Sequence, residues 1–156
     1  MNLKRLVSDE SAVTITIRFI LKFSVTVIAL MLLLFSFQAM LQRAEETVMR
    51  SEMEVIGSDI ALRISGMDMA ITSTRGASGS VNVLEHEFAI PNEIAGNTYY
   101  IVIRSYNEID LKSDEVDVET RIPFKANTAV TTSTIYSSTT RHRIIYNQSS
   151  GAIEVI

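Results

Sequence analysis

The chain has 156 residues, with 14 Lys and Arg against 18 Asp and Glu, and no cysteine. That length suits one domain of ordinary size, and the lack of cysteine excludes disulfide frameworks, thiolate zinc sites and cysteine nucleophiles. The charge is unevenly divided: the first 41 residues hold four cations (Lys4, Arg5, Arg18, Lys22) and two acids, whereas the remainder holds ten cations and sixteen acids. An acidic distal part of this kind argues against nucleic acid as a partner, because phosphate binding needs a cationic surface.

The apolar excess sits in the first quarter. From Phe23 to Leu41 no charge interrupts 19 residues, and the centre reads VIALMLLLF. As a helix that stretch is roughly 28 Å long, close to the hydrocarbon thickness of a bilayer. A cleavable secretory signal has a shorter apolar core followed by small residues at a cleavage site. Here FSFQAMLQRAEE follows instead, so the segment is expected to be retained, with membrane lipid as its surroundings. Cations cluster on its N-terminal side, and Arg43 is followed at once by Glu45 and Glu46. Lysine and arginine prefer the cytoplasmic side, which places the N-terminus inside and the bulk of the chain outside. Arg18 and Lys22 lie one helical turn apart. They either snorkel to the inner interface and mark the start of the true span, or meet acids on neighbouring subunits.

Past Leu41 the sequence stays rich in helix formers and free of proline to about Ser65. Met49, Met53, Ile56, Ile60 and Ile64 recur at steps of three and four, the spacing of one helix face. Glu45, Glu46, Glu52, Asp59 and Arg63 fall off that stripe. Gly57 interrupts the run as a weak point that would permit a bend. Next comes TSTRGASGS (Thr72 to Ser80), a loop by composition.

Beyond it the period changes to two. Leu84, His86, Phe88 and Ile90 alternate with Glu85 and Glu87; TYYIVIRS follows the turn PNEIAGN. In VDVETRI, Val116, Val118, Thr120 and Ile122 face one way. The hydroxyl-rich NTAVTTSTIYSSTT suits an exposed strand or a loop, and HRIIYNQSSGAIEVI reads as a closing β-hairpin. Strict alternation implies an antiparallel sheet with one wet face. Its dry face needs a cover, and the Met49–Ile64 stripe supplies one. The fold class is α+β: a long N-terminal transmembrane and amphipathic helix packed on an antiparallel sheet head.

Residues suited to catalysis are scarce. His86 falls on the expected dry face and reads as a sheet histidine. His142 lies between Arg141 and Arg143, which disfavours metal binding and its own protonation. No phosphate loop, HExxH or GxSxG occurs, and the many hydroxyls have no base beside them. The run DLKSDEVDVE gathers Asp110, Asp114, Glu115, Asp117 and Glu119. Close oxygen ligands can hold calcium, although alternate acids on a strand read as its solvated face. We therefore expect no enzyme activity, no metal and no cofactor. Asn147-Gln148-Ser149 is an N-glycosylation sequon in the terminal turn, on the outer side by the topology above.

This layout resembles the archaeal type IV pilin-like (pseudopilin-like) surface proteins: a charged leader, an apolar helix that anchors and polymerises, an amphipathic extension and a β-rich head. DESAV running straight into the apolar helix is similar to the processing region of that family, and FAIPNEIAGNTYYIVI with IIYNQSSGAIEV is similar to its uncharacterised members. The resemblance implies a leader removed by a prepilin-type peptidase near Glu10, Ser11 and Ala12, leaving Ser11 or Ala12 as the new N-terminus. It also implies other pilin-like subunits as partners through the N-terminal helix. The expected organisation is leader 1–11, membrane helix 12–41, amphipathic extension 42–70 and extracytoplasmic head 71–156. The expected role is a non-enzymatic structural subunit of a surface filament or secretion-type assembly. The alternative is a single-span anchored binding or accessory domain that never polymerises.

Overall fold

The computed structural model describes residues 3–113, 115–139 and 141–156, with side chains from Val13 onward. The chain divides into two compact units, Met1–Arg43 and Ala44–Ile156. One α-helix, α1 (Leu3–Gly76), contributes to both. Eight strands follow: β1 (Val83–Ala89), β2 (Tyr100–Arg104), β3 (Glu108–Ser113), β4 (Val118–Pro123), β5 (Ala129–Val130), β6 (Ser133–Tyr136), β7 (Arg141–Asn147) and β8 (Ala152–Val155). The architecture is α+β, as the periodicities indicate.

In the first unit, α1 exposes its apolar side chains on every side. Phe19, Phe23, Leu33 and Phe35 are each more than 60% exposed, although they are among the most apolar groups in the chain. This is the one described helix long and apolar enough to cross a membrane, and none of its most apolar window is buried by protein.

In the second unit, α1 has a buried face. Met49, Met53, Ile60 and Ile64 are fully buried, and Ile56 nearly so. The stripe continues further than its clearest repeat suggested, through Met67 and Asp68 to Ile71. The helix therefore runs through Thr72–Arg75, which composition alone assigned to a loop. Ser73 and Thr74 donate their hydroxyls back to the Ala70 carbonyl, at 3.0 and 2.8 Å, and the turn is held on the core by the buried Ile71 and Asp68. The end is a left-handed cap: Ser78 has φ 61°, and the Gly79 amide donates to the Thr74 carbonyl at 2.9 Å.

The strands form two four-stranded sheets, ordered β1-β7-β8-β5 and β4-β3-β2-β6. All pairings are antiparallel except β5 with β8. The single sheet expected from alternation is thus two, one of them mixed. The parallel pair arises because the two-residue β5 precedes the β7–β8 hairpin and joins the far edge of β8. Both sheets share one core with the helix: Ile101, Ile103, Ile109 and Leu111 from one, and Ile144, Tyr146 and Ile153 from the other, are fully buried. Val118 and Thr120 face inward as expected, with Val116 and Ile122 partly covered.

Gly57 serves a different purpose from the bend first expected of it. The helix continues through it. A β-carbon there would lie 2.7 Å from Ile122 Cγ1 and 2.8 Å from Leu111 Cδ1. The glycine is the point where β3 and β4 side chains rest directly on the helix backbone, so close packing explains it.

Candidate functional site

Polar contacts fix the helix against the loops of its own unit. Asp68, 5% exposed, accepts from the backbone amides of Asn127 and Thr128 at 2.9 and 2.8 Å. Burial alone raises its carboxyl, but the bonds from Asn127 and Thr128, with the charge of Arg75, hold it below its ordinary 3.8. Ser65 donates to the Lys125 carbonyl at 3.0 Å. Arg50 donates to the Glu119 carbonyl at 3.1 Å, and the Asn97 amide to Glu45 at 2.6 Å. Arg75 lies over the Tyr146 ring, 5.6 Å from its centroid, and bonds its hydroxyl. Burial pushes the Tyr99 phenol up to about 12, and its hydroxyl donates to the Pro91 carbonyl.

This pinning leaves a groove between α1 and the segment Ile122–Asn127. Its upper part, about 680 Å³, is lined by Ser65, Asp68, Met69 and Thr72 of the helix, facing Lys125 and Asn127. The adjoining part, about 560 Å³, lies between Ser58, Ala61 and Leu62 on one side and Ile122, Pro123 and Phe124 on the other. Its lining is mostly apolar, with small side chains on the helix and larger ones on the loop.

The acidic run does not converge. Asp110, 1% exposed, lies 2.5 Å from Arg104 Nε and 3.9 Å from Arg121 Nε. Glu119 binds Arg121 at 2.8 Å and Lys112 at 3.2 Å, and the hydrogen bond from Arg121 leads the effects that lower its carboxyl. Glu115 accepts from the Thr98 hydroxyl. Asp114 lies outside the described residues. The run is not simply the solvated face that its composition suggests, because it contains most of β3. The signal was the alternation Ile109, Leu111, Ser113 after Asn107, a turn residue at φ 66°. Among the described residues, no group of three or more His, Cys, Asp or Glu has metal-holding geometry.

His86 shares the parity of Leu84 and Phe88, yet it is exposed, because β1 is an edge strand. Its Nε2 is 2.6 Å from Arg63 Nη1; a guanidinium only donates, so this nitrogen accepts. Arg63 also pairs with Asp59 at 2.7 Å. His142 is 3% exposed and tilts against Phe88 with centroids 5.7 Å apart. Its neighbours Arg141 and Arg143 are exposed on the opposite strand face, so they do not crowd it as adjacency in sequence implied; Arg143 pairs with Glu85 at 2.9 Å. His142 Nε2 has no hydrogen-bond partner.

Of the other residues singled out, the stripe Met49, Met53, Ile56, Ile60 and Ile64 is brought together in the core. Arg18 and Lys22 are exposed on the helix of the first unit. The side chains of Glu10, Ser11 and Ala12 lie outside the described residues. Asn147 is exposed at the end of β7, and its Oδ1 accepts from the Ser149 amide and hydroxyl at 3.0 and 2.8 Å.

These features define an α+β protein with one candidate membrane-spanning helix and a two-sheet unit. Comparison with known families places it more closely: the chain belongs to DUF7266, a family of unknown function whose profile matches residues 8–156. No curated protein and no solved structure matches it.

Proposed function

We propose that this protein is a non-enzymatic structural subunit, a pilin-like or minor pilin (pseudopilin-like) component of an archaeal surface filament or secretion-type assembly. The observation that carries the reading is the contrast within α1. Residues 13–41 present large apolar groups on all sides, which suits lipid or a bundle of like helices. The part beyond residue 44 is seated in a β-rich unit by one face only. The N-terminus lies in the cytoplasm, the head lies outside, and a prepilin-type peptidase removes the leader next to Ser11 or Ala12. Released from lipid, the apolar helices pack against those of other pilin-like subunits. On the outer surface, Asn147 is the acceptor for an N-linked glycan.

Mechanical shearing of cells tests this reading. A filament subunit leaves the cell in a sedimentable fraction, together with other pilin-like chains. A protein found only in the membrane fraction, and monomeric in mild detergent, contradicts assembly and fits the non-polymerising single-span anchor.

A further inference from the structure

The sheet β4-β3-β2-β6 has an outer face, on which two tyrosines stand side by side. Tyr100 on β2 and Tyr136 on the edge strand β6 are partners in register, and their rings lie 6.2 Å apart, tilted by 41°. Tyr136 is 59% exposed, and Tyr100 is half-buried. A cavity of about 180 Å³ opens to solvent here, lined by Thr98, Tyr99, Tyr100, Tyr136, Ser137 and Ser138. That is the space of about six water molecules, enough for one small ring.

Hydrogen bonds fix the walls. The Tyr99 amide donates to Ser137 Oγ at 3.2 Å, and the Ser137 amide donates to the Tyr99 carbonyl at 3.0 Å. Ser113 donates its hydroxyl to the Thr98 carbonyl at 2.8 Å, and the Thr98 hydroxyl donates to Glu115 at 2.8 Å. The cavity is therefore built in advance, and a ligand does not have to order it.

We propose that this cavity binds one uncharged pyranose ring. The tyrosine faces carry partial negative charge, which attracts the C–H groups on the apolar side of a sugar. Around them stand hydroxyls that both donate and accept, matching a ligand edged with hydroxyls of its own. Charged ligands fit less well. Lys112 faces Tyr100 across the β2–β3 pairing and repels a cation, whereas Glu115, bonded to Thr98, repels an anion. A nucleobase brings phosphate with it, which the acidic chain beyond residue 41 disfavours.

Two sources present such a ring. The cavity lies at the end of the second unit where α1 enters it, since Asn97, next to Thr98, donates to Glu45 at 2.6 Å. The sugar headgroup of a membrane lipid is one source, and a soluble glycan is the other.

The chain has five tyrosines and no tryptophan, so tyrosine fluorescence is read without an indole background. Full-length protein, in a detergent that has no sugar headgroup, is titrated with the methyl glycosides of glucose, galactose and mannose. The inference expects saturable binding of at least one, weakened about tenfold by Tyr136→Ala. Tyr106→Ala should leave it unchanged, because Tyr106 is 63% exposed but lies outside the cavity. Ser138→Leu, at an exposed position of the lining, should block binding without disturbing the fold. No saturable binding of any of the three, or undiminished affinity in both cavity variants, would overturn the inference. Binding of tetramethylammonium or inorganic phosphate instead, lost in Tyr136→Ala, would assign a charged ligand and also overturn it. Phosphatidylcholine vesicles with and without a lipid carrying the bound sugar then separate the sources. Competition by that lipid supports the headgroup, and an unchanged titration supports the soluble glycan. None of these results needs leader removal or polymerisation, so the inference stands or falls apart from the proposed function.

Discussion

The two stretches of α1, residues 13–41 and 44–76, share one secondary structure and differ in what covers them. In the first, large apolar side chains are exposed on every side of the helix. In the second, one stripe is buried to zero exposure at Met49, Met53, Ile60, Ile64 and Ile71, and charges occupy much of the rest. A helix that is apolar all round needs an apolar solvent or like helices; one with a single apolar stripe needs a single partner surface. The same backbone thus meets two environments, and composition around the helix, rather than helix propensity, separates them.

Substitutions in the second stretch should break this comparison on one face and not on the other. Ile60→Ala removes a fully buried side chain and is expected to destabilise the head by about 2–5 kcal/mol, read by denaturant unfolding of the full chain in detergent. Leu62→Ala, two residues away and 73% exposed, should change monomer stability by no more than about 0.5 kcal/mol. Equal losses at the two positions would mean that α1 is seated differently.

Gly57→Ala sharpens the comparison through its sign. Were Gly57 a flexible point in an open helix, alanine would stabilise it by up to about 1 kcal/mol. With Ile122 and Leu111 within 2.8 Å of the new β-carbon, we expect a loss of about 1–3 kcal/mol instead, measured in the same unfolding experiment.

A smaller effect is expected at Asp68, the polar pin between helix and loop. Asp68→Asn keeps the shape and one acceptor, and should cost about 1–2 kcal/mol at neutral pH. Because the folded carboxyl is held below its ordinary 3.8, its contribution is fully present above that value and is lost as pH falls through the lower folded one. Unfolding curves of the two proteins should therefore converge in strong acid. A difference that persists unchanged there would show that ionisation of Asp68 is not its source.

Much of the fold was legible because burial imposes periodicity. The stripe from Met49 to Ile64 announced the helix face, and alternation announced β1, β4 and the terminal hairpin. Three features were hidden for physical reasons. β3 lay inside an acidic run, where Asp110 is buried under Arg104 and Arg121 rather than solvated. The last turns of α1 consist of threonine and serine, which compose loops as readily as helices and are held here by Ile71 and Asp68. The division into two sheets depends on which strands pair, which alternation does not specify, and the mixed character of one sheet rests on β5 joining β8, a pairing of two residues too short to leave a pattern. The groove was equally invisible, since Pro123 and Phe124 reach it only through tertiary packing.

The most direct test of the central claim, an apolar helix retained after leader removal, is intact mass with N-terminal sequencing of the membrane-extracted protein. The account predicts a chain beginning at Ser11 or Ala12 that keeps all of Phe23–Leu41, with any glycan mass assigned to Asn147. A chain beginning after Met40, or one still carrying Met1 through Glu10, would contradict it.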